Sequence, residues 1–148
     1  MARILVVDDE PLTIGMLRDA LEAAGHQVTA ALDGLKALDY LGVEPPADLL
    51  AKAGITDWKL LKGDWSGEPE GLPELVLSDC MMPRMDGFTL VTVLSVSERV
   101  KGLPVIVLTS KPKMEEPFLQ LSNVKGFIAK PVSPADLRAL VDKVLAKA

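Results

Sequence analysis

Ile4-Leu5-Val6-Val7 runs directly into Asp8-Asp9-Glu10-Pro11. The first four residues are all aliphatic, and three of them are β-branched. A short continuous run of this kind fits a strand buried on both faces, as in a parallel sheet covered by helices. It stops at three acids, and Pro11 suits the first turn of a helix. Leu17, Leu21 and Ala24 then recur at helical spacing, and Gly25 ends the helix. A buried strand leading straight into a helix predicts an α/β fold.

The alternation continues outward. Gln27 to Ala31 reads as a second strand and Asp33 to Leu41 as a second helix, with Leu35, Leu38 and Leu41 on one face. Leu75 to Ser78 reads as a third strand ending at Asp79. A turn through Pro83 and Gly87 leads to a helix at about Phe88 to Ser97. Val105 to Leu108 is a fourth strand, opened by Pro104 and closed by Thr109 and Ser110. Gly126 to Ala129 is a fifth, closed by Lys130-Pro131. Ser133, Pro134 and Asp136 start a last helix, with Leu137, Leu140, Val141, Val144 and Leu145 at offsets of an apolar stripe. The whole predicts a doubly wound five-stranded parallel sheet.

Residues 43 to 73 interrupt the pattern. They hold four of the eleven prolines, four of the eleven glycines and both tryptophans, Trp58 and Trp65. Six acidic and three basic residues there carry −3 of the chain's −5. Leu49, Leu50, Ile55, Leu60 and Leu61 give too much apolar surface for a free linker. The expectation is an excursion packed on the domain, helical in part near 47 to 52 and 58 to 61. The chain, 1 to 148, then reads as one domain with an insertion between the second helix and the third strand.

Composition narrows the function. Hydrophobic residues make up 49% and charged residues 25%, as in globular domains. No apolar run reaches the roughly 20 residues of a membrane helix, and no leader with a cleavage site opens the chain. One cysteine, Cys80, excludes an internal disulfide and fits a reducing cytoplasm. One histidine, His26, sits in a Gly25-His26 turn and reads as solvent-facing. An acidic balance argues against a nucleic-acid module.

Polar residues close four of the five strands: Asp8 and Asp9, Asp79, Thr109, and Lys130. In a doubly wound sheet the carboxyl ends of the strands share one edge, and ligands bind outside it. Three converging carboxylates repel unless compensated. A hard divalent cation with oxygen ligands compensates them, and Mg²⁺ does so with carboxylates, waters and phosphate oxygens. With a lysine and a hydroxyl added, the set describes a seat for a phosphoryl group, with a carboxylate as nucleophile. Singly, the residues read more plainly. Asp8-Asp9 alone would be an ordinary helix start, Ser110 a cap and Cys80 a small buried apolar residue.

Val6-Val7-Asp8-Asp9-Glu10-Pro11, Leu77-Ser78-Asp79-Cys80-Met81-Met82-Pro83-Arg84-Met85-Asp86-Gly87, Val107-Leu108-Thr109-Ser110 and Ala129-Lys130-Pro131 together resemble the receiver domain of two-component response regulators. The likeness spans 3 to 146 apart from 43 to 73. It implies a flavodoxin-like receiver fold of strand order 2-1-3-4-5. It implies Asp79 as phosphoacceptor, with Asp8 and Asp9 holding Mg²⁺. Asp9 and Asp79 would be direct ligands, and the Met81 backbone carbonyl a third. Lys130 would pair with the phosphate, and Thr109 would swing to bond it. Phe127 would follow by turning inward. The family often has Tyr there, so this switch would be read by packing alone. Ser110 is small and leaves the donor room.

The function this implies is a response regulator charged by a histidine kinase or phosphotransfer protein, not an enzyme beyond its own self-phosphorylation and autodephosphorylation. Only Ala146-Lys147-Ala148 follows the last helix, so a stand-alone switch acting on a downstream protein in trans is expected. No nucleic acid or membrane partner is implied. A phosphate-independent interaction module on the same scaffold is the alternative. An aspartyl phosphatase is disfavoured because the first-strand acids are adjacent, where that family spaces them two apart. A dinucleotide fold is disfavoured because no Gly-x-Gly-x-x-Gly follows the first strand. The receiver family usually signals through the face of its fourth helix, fifth strand and fifth helix. Pro112 and Pro117 should break a long helix there. A short helix beginning near Pro117, after a looser loop, is expected instead.

Overall fold

The computed structural model describes residues 2–43, 51, 72–80, 87–98, 100–110 and 112–146. Five strands form one parallel sheet: β1 (Arg3–Val7), β2 (Gln27–Ala31), β3 (Leu75–Asp79), β4 (Val105–Thr109) and β5 (Val124–Ala129). The order is β2-β1-β3-β4-β5, as the resemblance implies. Four α-helices are described: α1 (Pro11–Ala23), α2 (Gly34–Leu41), α3 (Gly87–Val96) and α4 (Pro134–Ala146). A 3-10 segment, Pro112–Gln120, joins β4 to β5.

Alternation along the strands divides the core in two. Leu5, Val7, Val76, Val105 and Val107 face the cluster with α2 and α3. Ile4, Val6, Leu75, Leu77, Ile106 and Leu108 face the cluster with α1 and α4. All of β3 and β4 is buried, which is why these strands read as unbroken apolar runs. Each fully buried Leu or Val contributes about 1.5 to 3 kcal/mol.

Local chemistry fixes where the helices start and stop. Pro11 opens α1 without a side-chain cap. Asp33, expected inside the second helix, is its N-cap and accepts from the Lys36 N–H at 2.9 Å. Gly42 ends α2 in the left-handed region, φ 72°, where a Cβ is disfavoured. Seven of the eight residues of α2 are buried.

Three expectations need correction. The fifth strand starts at Val124, two residues before Gly126. The β4–β5 register shifts between Val105 and Ile106, so Val124 and Gly126 pair with neighbours and Lys125 is the extra residue. A bulged lysine and a glycine made the strand start look late. The segment after β4 is also helical from Pro112, not from near Pro117, and Pro117 lies inside it. It is a 3-10 segment rather than a regular α-helix, and i→i+3 bonding avoids the i−4 carbonyl clash that bars proline from an α-helix. Lastly, His26 is half-buried rather than solvent-facing, and its Nδ1 accepts from the Ala2 N–H at 3.1 Å.

Of the expected insertion, only Val43, Ala51, Leu72 and Pro73 are described; Ala51, within the expected helix at 47 to 52, is helical, and the rest of the expected helices falls outside the described residues. Its ends are fixed. The Val43 N–H donates to the Leu38 carbonyl at 2.9 Å. Arg3 Nη2 donates to the Leu72 carbonyl at 2.9 Å, and the Glu74 N–H to the Arg3 carbonyl at 2.7 Å.

Candidate phosphoacceptor site

The strand order reverses between β1 and β3, and their carboxyl ends stand side by side there. A crevice forms at such a point. Asp8 follows β1 and is wholly buried, while Asp9 is exposed. Asp79 ends β3 with 6% of its surface exposed, and Thr109 ends β4 with 2%. Oxygens of Asp8, Asp9 and Asp79 lie within 4.8 Å of one another.

Lys130, just past β5, reaches into this group. Its Nζ is 3.0 Å from Asp8 Oδ2 and 3.2 Å from Asp79 Oδ2, with Glu10 Oε1 at 3.8 Å. The Lys130 N–H donates to the Thr109 carbonyl at 2.8 Å, so the carboxyl ends of β4 and β5 are tied together. The Lys130–Pro131 peptide is cis. Burial opposes the lysine's charge, but the hydrogen bond to Asp8 and the charges of Asp79 and Asp8 outweigh it. The pKa is raised, and the ammonium holds its proton more firmly than an ordinary lysine.

Asp8 does two things. Oδ2 takes the lysine, and Oδ1 accepts from the Glu10 N–H at 2.9 Å. That second bond is an Asx turn, which bends the chain from β1 into α1. Sequence reasoning weighed Asp8 as a metal ligand or part of an ordinary helix start, and did not identify this turn. The Asp-x-Glu-Pro spacing before a helix was the available signal for the turn.

The donor set suits a hard cation. Three carboxylates against one ammonium leave excess negative charge, and one carboxylate, that of Asp9, is exposed to solvent, from which a hydrated ion would enter. Mg²⁺ favours such a set of oxygens with retained water. Asp8, Asp9 and Asp79 are the residues that would hold it. Met81, expected to add a carbonyl, lies outside the described residues.

Two contacts in the site were not anticipated. Gly87 opens α3, and its N–H donates to the Cys80 carbonyl at 2.9 Å. A Cβ on Gly87 would overlap the Asp79 carbonyl oxygen, so glycine is required for the helix to pass this close. Cys80 is buried, as expected of a small apolar residue. Burial pushes its thiol up to about 11, against a hydrogen bond with Thr109 that pulls it down.

A buried aspartate at the end of the third strand, a strand-end threonine and a lysine touching that aspartate stand on a sheet of order 2-1-3-4-5. The family model described as the response regulator receiver domain matches residues 58–142, which include all three of these side chains.

The chain belongs to the response regulator receiver family.

This receiver domain is 36% identical over 143 residues to an uncharacterized 14.6 kDa protein from the sodA1 3′ region of Leptolyngbya boryana, covering 95% of this chain and 87% of that one. It is 29% identical to Protein PilH of Pseudomonas aeruginosa, covering 99% of each. Two other relatives are longer, and the chain spans 49% and 12% of them. Among solved structures, it matches the signal receiver domain of a signal transduction histidine kinase from Syntrophus aciditrophicus. The TM-score is 0.72 and the identity 26%, covering 100% of this chain and 92% of that one. Receiver domains are in general signalling modules rather than enzymes. Among the described residues, no helix is long and apolar enough to cross a membrane.

Proposed function

We propose that this receiver domain accepts a phosphoryl group on Asp79 from a histidine kinase or phosphotransfer protein, with Mg²⁺ held by Asp8, Asp9 and Asp79. The observation that carries the reading is the contact of Lys130 Nζ with Asp79 Oδ2 at 3.2 Å. A phosphoacceptor needs a cation beside the carboxylate to neutralise the transferred oxygens. An Asp79 oxygen attacks the donor phosphorus, the bond from phosphorus to the donor nitrogen breaks, and the nitrogen keeps the electron pair. Mg²⁺, when bound, neutralises charge on the phosphoryl oxygens. Lys130 orients the group through the ammonium that now pairs Asp8 and Asp79. Thr109 supplies a hydroxyl at the neighbouring strand end, and Phe127 responds through packing.

The donor would approach across the start of α1. Pro11, Leu12, Met16 and Pro134 line a groove of about 620 Å³ there, and Leu12 is 89% exposed. Pro11 and Pro134 each lie within four residues of a site side chain, so a protein docked in the groove reaches the acceptor edge. Output passes to a downstream protein in trans. A cytoplasmic location belongs to the same proposal and rests on the single free cysteine.

Incubation with acetyl phosphate and Mg²⁺, read by intact mass, tests the reading. One phosphate should appear on the wild type and none on Asp79→Asn. A wild type that stays unmodified while a control receiver is labelled refutes it.

A further inference from the structure

The chain has three phenylalanines, and they stand in one file. Phe88, the second residue of α3, meets Phe118 edge to face, with ring centroids 5.5 Å apart and planes at 81°. Phe118 meets Phe127 in the same way, at 6.3 Å and 75°. Phe118 is 2% exposed at the centre, Phe127 is half-buried, and Phe88 reaches the surface with 38% exposed.

Each end of the file stands near, in sequence, a residue that meets the acceptor. At one end, Phe88 follows Gly87, which lies against the Asp79 carbonyl. At the other, Phe127 stands three residues before Lys130, whose ammonium touches Asp79 Oδ2. Edge-to-face rings set one another's orientation through their quadrupoles. A close-packed interior does not let the central ring stay still while its neighbour turns.

We propose that Phe118 is a positioning residue that carries the movement of Phe127 to Phe88. On phosphorylation, the 3-10 segment and the start of α3 then change together, and the change reaches solvent at the Phe88 ring. The inference rests on Asp79 as the acceptor. It places the readout on α3 and the 3-10 segment.

Three phenylalanines make a direct test. The full chain is produced with 4-fluorophenylalanine, and its three fluorine resonances are assigned by single Phe→Leu variants. Acetyl phosphate and Mg²⁺ are added, and the phosphate is counted by mass. All three resonances should move in the phosphorylated wild type. In Phe118→Met, phosphorylated to the same extent, the Phe127 resonance should still move while the Phe88 shift drops to about half or less, as expected when a coupling residue is removed. Methionine fills the space without a ring. If it does not fold, the wild type still decides. A phosphorylated wild type whose Phe88 resonance stays fixed overturns the relay. So does an undiminished Phe88 shift in Phe118→Met. Absence of the phosphate overturns the acceptor reading itself, and the relay with it.

Discussion

Gly87 lies so close to the main-chain carbonyl of Asp79 that a Cβ would overlap its oxygen and crowd the Cys80 Cα at 2.9 Å. The crowding atoms are backbone, so they cannot turn aside. Gly87→Ala should cost about 1 to 3 kcal/mol, as overpacking does, and should lower labelling of Asp79. Gly15, inside α1, has nothing within 4 Å of an added Cβ. Gly15→Ala should therefore stabilise by roughly 0.5 to 1 kcal/mol. Urea unfolding of both variants checks the pair, and equal effects would contradict it.

Removing the Lys130 ammonium leaves two buried carboxylates facing each other. Lys130→Met should destabilise by about 1 to 3 kcal/mol, the penalty for taking a bonded cation away from buried carboxylates. A divalent cation can replace the lost positive charge. Added Mg²⁺ should thus raise the thermal midpoint more in Lys130→Met than in the wild type. An equal or smaller rise would count against a cation seat at these carboxylates.

Glu10 is 3.8 Å from Lys130 Nζ, and its side chain is 62% exposed. So exposed a pair is worth under about 1 kcal/mol. Its charge still stands at the mouth of the site. Glu10→Gln should raise the rate of labelling by acetyl phosphate, an anion, about two- to fivefold at low salt, the range an exposed charge supports. The gain should shrink as salt is added. A gain that persists at high salt would show that charge is not its cause.

The Cys80 thiol, pushed up to about 11 by burial from an ordinary value of 9.0, makes stability depend on pH. The folded state keeps this proton above the pH at which the unfolded chain loses it. Its contribution is intact below pH 9, falls between 9 and 11, and is lost above. The loss amounts to about 2 to 3 kcal/mol. Cys80→Ala should flatten that part of the alkaline profile, measured as the difference in urea stability from the wild type. Alkylation of native Cys80 near pH 8 should also be slow.

Much of the site was legible because its residues sit where strands end. Val7-Asp8 and Ser78-Asp79 mark abrupt changes from apolar to charged, and the strand ends in a parallel sheet must meet at one edge. Lys130 follows from the same logic on the last strand, whereas Phe127, inside that strand, came only from the family resemblance. The Glu10–Lys130 contact and the Phe118 file were not legible, because they join residues far apart in sequence. The start of β5 was misread because a bulge at Lys125 breaks the period of two. Pro117 was read by its effect on an α-helix, and the 3-10 geometry that admits it leaves no separate mark in the sequence.

Arg3 begins β1 and holds Leu72, while Val43 leaves the C-terminal end of α2. In a parallel sheet these points lie at the amino ends of the strands, at the opposite pole from Asp8 and Asp79. The two ends of the stretch from 43 to 73 therefore lie at the pole away from the chemistry. Because closing a loop costs only slightly more as it lengthens, this pole is a socket where segments of different length can be exchanged. A short turn or a foreign peptide grafted between Val43 and Leu72 should leave the acceptor edge intact, which makes the chain a natural scaffold for building sensors.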